Sequence, residues 1–207
     1  MIAKIFILGM IFALVAIILE KGAGSIYNCF KHLNPTLIFA VYAVLGIGFI
    51  EEILKYLVLK FFVLKNREFD EPIDVIIYLI TIALGFVAME NIFLFLRPSP
   101  LFVFPSIAQM IILSVLRTLS ATLLHALCSG ILGYFIALGF YKINKRTILT
   151  ILGIALATLL HGLYDFFIMN VGGTLLKYGS MAVLLISMGV VLSVFILKIK
   201  KVPSICR

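Results

Sequence analysis

Charge is what this chain lacks most. Only 13% of its 207 residues are Asp, Glu, Lys or Arg, against 64% hydrophobic residues, and its mean hydropathy is +1.25. No soluble domain carries that balance. Strand-like alternation is missing too, while apolar runs long enough to cross a bilayer recur. The chain therefore reads as an all-α, polytopic transmembrane bundle. Its length leaves room for one integral membrane domain, residues 1–207, and no separate soluble one. Cysteine is scarce: Cys29, Cys128 and Cys206 fall outside, within and inside the expected membrane. No two of them can pair, which excludes a disulfide framework and a thiolate metal cluster. There is no internal repeat, no HExxH zinc signature, and no serine with a plausible histidine–acid triad. Asp165 is the only intramembrane aspartate clear of a helix end, Asp74 lying at a cytoplasmic helix mouth, so a paired-aspartate mechanism is disfavoured. The net charge of +8 sits on loops and helix ends, where it sets orientation and touches anionic lipid; nucleic acid is not an expected partner.

About six spans are expected, over residues 2–19, 36–64, 73–96, 106–141, 147–169 and 174–197. The first has no convincing cleavage site and reads as a retained helix. Gly22 to Ser25 and Asn34-Pro35 flank a small external segment. The second and fourth spans exceed one bilayer thickness and must tilt, kink or protrude. Basic residues collect on one side, from Lys4 and Lys60 to Lys142, Lys145, Arg146, Lys198 and Arg207, with only Lys21, Lys31, Arg97 and Lys177 opposite. The richer side is cytoplasmic, which puts both termini inside. The chain is expected as a multi-pass protein of a prokaryotic plasma membrane.

Against this apolar background a few ionisable residues stand out: Glu51, Glu52 and Lys55 in the second span, Glu90 in the third, Arg117 and His125 in the fourth, His161 and Asp165 in the fifth. A charged side chain at bilayer depth costs at least about 2.5–3.5 kcal/mol, so such groups rarely persist without a task. Spacing groups them. Glu51 and Lys55 are four apart, as are His161 and Asp165, so each pair shares a helix face. Gly153, Ala157, His161 and Asp165 form one stripe, and Ala121, His125, Ser129 and Gly133 another, with small residues letting helices approach closely. At about 1.5 Å per residue, Glu51, His125 and His161 reach similar depth. The functional core is expected to be the second to fifth helices, about 36–169, with the first and sixth as packing or lateral gates. Four acids against two bases, with neutral imidazoles, leave an excess of negative charge. Retained protons, a divalent cation or water must balance it.

Three readings compete. Structural polar pairs can hold helices together at about 0.6 kcal/mol each; Lys55 and Arg117 fit that role as neutralisers, and Asn91 as a helix–helix hydrogen bonder. An ion or proton-coupled transporter also uses carboxylate–histidine chains, but no span is broken by Gly/Pro and no inverted repeat is visible. Hydrolysis of a peptide bond needs a base, an activated water and oxyanion donors. Glutamate can be the base, and histidines can donate to the oxyanion or bind a metal.

The motifs Glu51-Glu52-Ile-Leu-Lys55, Gly85-Phe-Val-Ala-Met-Glu90-Asn91, Arg117 followed by His125, and His161-Gly-Leu-Tyr-Asp165 resemble the PrsW family of intramembrane proteases. That family lies within the wider CAAX prenyl protease and Abi-like superfamily. The turn from Asp70 to Asp74 is similar as well. The resemblance runs from about Gly48 to Phe166. It implies an intramembrane endopeptidase that cuts a membrane-anchored protein, such as an anti-sigma factor at an external site-one position. By the same resemblance Glu51 and Glu52 activate the water. His125 and His161 are metal ligands or oxyanion donors, with Glu52 as a third ligand if a metal is bound. Glu90, Asn91 and Asp165 orient them, and Lys55 and Arg117 tune charge. Both a Zn2+ enzyme and a metal-free glutamate protease are compatible with it. Which glutamate is the base, and the oligomeric state, stay open. A CAAX-type prenyl endopeptidase is a further alternative, but its usual EExxxR and HxxxN differ at Lys55 and Asp165, which argues against a prenylated substrate.

Overall fold

In lipid, apolar stretches can satisfy their own backbone groups only as helices or closed barrels, and the computed structural model shows helices. It describes residues 1–66, 69, 71–96, 107–170, 172 and 174–200. Among these there is no strand, and six helices are long and apolar enough to cross a membrane. They are α1 (Ile2–Phe30), α2 (Pro35–Val63), α3 (Asp74–Leu96), α4 (Ile107–Tyr141), α5 (Arg146–Asn170) and α6 (Thr174–Ile199). The chain is a multi-pass membrane protein. The turn at Asp70, the breaks at Arg97 and Pro105, and the terminal Lys201, Cys206 and Arg207 lie outside the described residues.

Two helices depart from the sequence expectation. The first span was expected to stop at residue 19, but α1 runs on to Phe30. Gly22 and Gly24 do not end it, because a glycine inside a helix costs only about 1 kcal/mol relative to alanine. Packing offsets that cost: the Tyr27 ring stacks on Tyr42 with centroids 5.0 Å apart. Glu20 is therefore an interior helix residue. Helix α2 opens on Asn34, whose side chain accepts from the Leu37 N–H at 3.1 Å, with Pro35 in the first turn. Its winding then widens into π turns over Tyr42–Gly48 and Leu59–Val63. The first closes with the Phe49 N–H donating to the Val44 carbonyl, the second with Leu64 N–H donating to Leu59 at 3.1 Å. Such turns are rare and recur at functional sites. The first ends three residues before Glu51.

The helices close a ring. Helix α1 packs on α3, α3 on α4, α4 on α5, α5 on α2, and α2 back on α1, while α6 lies outside against α4 and α5. Close approach sets two of these seams. A Cβ at Gly9 would collide with the Ile82 carbonyl and one at Gly85 with the Phe6 carbonyl, so α1 and α3 touch backbone to backbone. Between α2 and α5, a Cβ at Gly48 would meet the Thr158 carbonyl at 2.8 Å and one at Gly162 would meet Val44. Outside the ring, Tyr134 of α4 stacks on Phe195 of α6 at 4.0 Å. Exposed Ile7, Ile11, Ile18, Val183, Ile186 and Val190 clothe the outer faces, as a lipid environment requires. Gly85→Val is expected to cost about 1–3 kcal/mol by forcing α1 off α3. Gly22→Val, which meets nothing within 4 Å, serves as the neutral control, with thermal unfolding in mild detergent as the measurement.

Candidate active site

The polar residues gather inside the ring. Lys55 is completely buried, and its ammonium faces three acceptors: Glu52 Oε1 at 2.8 Å, His125 Nδ1 at 3.1 Å and Glu51 Oε2 at 3.4 Å. It also lies 4.8 Å from the centre of the Phe86 ring. A lysine ammonium has three protons and no acceptor capacity, so all three are committed. That fixes the tautomer of His125. Its Nδ1 accepts from Lys55, so its proton sits on Nε2, which donates to Glu90 Oε2 at 3.2 Å.

His161 is fixed in the same way. Its Nδ1 lies 2.8 Å from Glu52 Oε1, which only accepts, so Nδ1 carries the proton. The Nε2 lone pair then points at Glu51 Oε2, 3.6 Å away, and Asp165 Oδ2, 3.7 Å away. Asp165 Oδ2 is sealed from solvent without a hydrogen-bond partner. The two imidazoles meet edge to face with centroids 5.0 Å apart.

The two adjacent glutamates thus have different surroundings. Glu51 lines a cavity of about 200 Å³ inside the ring. Glu52 is fully buried beneath it and is not among the cavity's lining residues. The other walls carry Glu90 and Asn91 from α3, Arg117 and His125 from α4, and His161, Tyr164 and Asp165 from α5. All the residues expected from sequence are therefore either on this cavity or directly behind it. Tyr164 is tied to α4 by a 2.7 Å hydrogen bond between its hydroxyl and Ser120 Oγ, which also lies 3.1 Å from the Arg117 carbonyl.

Helix α1, expected to stand outside the functional core, forms the remaining wall through Ile17 and Glu20. Glu20 was not singled out in the sequence, where the span was expected to end at residue 19; ten further helical residues follow it. Helix α6 contributes nothing to the lining, in line with its expected peripheral place.

The site suits a cation. Ligand atoms of Glu51, His125 and His161 come within 4.8 Å of one another, and so do those of Glu52, Cys128 and His161. Glu52, expected beside both histidines, falls in the second group, and Glu51 takes its place in the first. Cys128 enters as a residue the sequence reading set aside. Donor atoms about 2.0–2.2 Å from a tetrahedral ion lie roughly 3.3–3.6 Å apart, close to the 3.6 Å between His161 Nε2 and Glu51 Oε2. The Glu52–His161 hydrogen bond has the form of the carboxylate that orients a metal-bound imidazole.

With carboxylates and imidazoles on one cavity and a buried lysine behind it, the comparison with known proteins is decisive. Residues 1–197 match the PrsW family intramembrane metalloprotease. This chain belongs to the PrsW family. It is 32% identical over 172 residues to Protease PrsW of Shouchella clausii, covering 83% of this chain and 72% of that protein. It is 29% identical over 174 residues to Protease PrsW of Bacillus subtilis, with 80% and 68% covered. Against Protease PrsW of Geobacillus kaustophilus it is 32% identical over 130 residues, 63% of this chain and 53% of that one. No solved structure gives a significant match. PrsW membership makes the chain an intramembrane peptidase and disfavours the transporter reading.

Proposed function

We propose that this chain is a single-domain endopeptidase of the prokaryotic plasma membrane that cuts a membrane-anchored protein, such as an anti-sigma factor, in the outer half of the bilayer. The observation that carries the reading is the division of labour between neighbouring glutamates: Glu51 faces the cavity while Glu52 holds His161 and Lys55 from behind. The cavity is also biased toward one end of the ring. It takes residues 87–94 of α3 and 161–169 of α5, toward their C-terminal ends, and 117–125 in the N-terminal half of α4. With the lysine- and arginine-rich loops cytoplasmic, that end is external and both termini are inside.

Glu51 is the base that takes the proton of the attacking water, and the protonated Glu51 returns it to the leaving amine. Glu52 fixes the His161 ring so that Nε2 faces the water. His125, held by Lys55 and Glu90, supports the far side. Asn91 and Arg117 are the cavity's remaining donors for the carbonyl oxygen that becomes negative. Asp165 sets the local field at Nε2, and Lys55 keeps the buried carboxylate pair charged without exposing it to water. The donor set of carboxylate and imidazole fits Zn2+, which Glu51 and His161 Nε2 would hold; His125 would join them through Nε2 only with the Lys55 ammonium turned away and the imidazole proton moved to Nδ1. Such an ion supplies Lewis acidity toward water and carbonyl.

Purified protein in proteoliposomes is expected to hold about one zinc per chain, measured by elemental analysis, and His161→Ala to lose it together with cleavage of a single-span substrate. Full activity in an extensively chelated, zinc-free preparation would return the mechanism to the metal-free glutamate type. Persistence of cleavage in His161→Ala would remove the site assignment altogether.

A further inference from the structure

Helix α1 gives the cavity an acid that the chemistry above does not use. Glu20 lines the same space as Glu51, Glu90 and Asp165, and its Oε1 is sealed from solvent with no hydrogen-bond partner. Asp165, only 8% exposed, lines the same cavity, and its Oδ2 is also without a hydrogen-bond partner. The balance of charge is lopsided. Four carboxylates line the cavity and Arg117 is the single lysine or arginine among the lining residues. Glu52 and Lys55 neutralise each other beneath it. Glu20 is not in either group able to hold a metal, so an ion bound there leaves the sealed Glu20 oxygen without a partner. A buried carboxylate without a partner is costly, and a cation brought by the substrate would relieve it.

We propose that Glu20, together with Asp165, forms a subsite for a basic side chain, lysine or arginine, next to the bond that is cut. Residues Ile17 and Val87 supply the apolar wall for the methylene stem of such a side chain, and the ammonium or guanidinium reaches the carboxylates beyond. The inference rests on the peptidase reading and adds the substrate's chemical class to it. An acidic residue at that position is repelled by four carboxylates and is rejected.

The test uses the full chain in proteoliposomes and three single-span polypeptides, identical except for Lys, Gln or Glu beside the cleaved bond. Wild-type protein is expected to cut the Lys polypeptide at least about tenfold faster than the Gln one, and the Glu one slowest. Glu20→Gln removes the preference, and Glu20→Lys turns it toward the Glu polypeptide. Binding is read separately by photo-crosslinking to Glu51→Gln protein, which needs no turnover. There the Lys polypeptide is captured preferentially, and Glu51→Gln combined with Glu20→Gln loses that preference. Equal capture of all three by Glu51→Gln protein, or an undiminished Lys preference in Glu20→Gln, overturns the subsite. Cleavage of none of them with selective capture intact would instead strike at the peptidase reading and leave the subsite standing.

Discussion

Replacing Glu51 with glutamine is expected to abolish cleavage and leave the helix bundle standing. Glutamine keeps the shape of the side chain and its contact distance to Lys55, 3.4 Å in the native protein, but it cannot take a proton from water. A positioned general base contributes about 10²–10⁴-fold to rate, and loss of a metal-binding oxygen would add to that. Glu52→Gln reads differently. Glu52 Oε1 accepts from both Lys55 and His161 at 2.8 Å, so its loss frees the imidazole and leaves a buried ammonium short of a counter-charge. That variant is expected to fall in both activity and unfolding temperature. Single-turnover cleavage and thermal unfolding of the same detergent-solubilised samples separate the two. An active Glu51→Gln alongside an inactive, fully stable Glu52→Gln would exchange their roles.

Lys55→Met should be among the most destabilising single changes in the chain. It removes the shared cation of Glu51 and Glu52 and the donor to His125 Nδ1 at one stroke, in a place with no access to solvent. Breaking a buried ion pair by deleting one partner costs about 3–5 kcal/mol, because the other charge is stranded. Removing both partners in Glu52→Gln with Lys55→Met is expected to recover part of that loss, so the two changes are non-additive by about 1 kcal/mol or more. Lys60→Met, at an exposed position five residues on, should stay within about 0.5 kcal/mol. Equilibrium unfolding in mild detergent measures all four. Strict additivity would show that Lys55 and Glu52 do not depend on each other.

Much of the site was legible in the sequence because a bilayer filters residues so harshly. Glu51, His125 and His161 stood out against their apolar neighbours, and helical spacing put Asp165 on the face of His161. What spacing could not give was phase. Glu51 and Glu52 are adjacent, about 100° apart around a helix, and only the packing of α2 decides which one faces the cavity. That packing depends on the π turn at Tyr42–Gly48, which shifts the helix face and has no proline to announce it. Glu20 was missed for a different reason. It stands at the edge of the most apolar stretch, beside Lys21 and two nearby glycines, a pattern shared by most helix ends. Only the stacking of Tyr27 on Tyr42 reveals that the helix continues. Cys128 was set aside because no second thiol could join it, yet a mixed group needs just one.

The counter-ion of Lys55 lies three residues away on its own helix, and this bears on biogenesis. The stretch Glu51–Lys55, with three formal charges, would pay roughly 2.5–3.5 kcal/mol for each on leaving the translocon alone. Because Glu52 and Lys55 are within reach of each other as soon as one turn has wound, α2 can partition into lipid as a nearly self-neutralised hairpin partner of α1, before α4 and α5 have been synthesised. His125 and His161 then arrive on helices made after Glu51, Glu52 and Glu90 are already in the membrane, so the nascent protease stays inert until its final seams close.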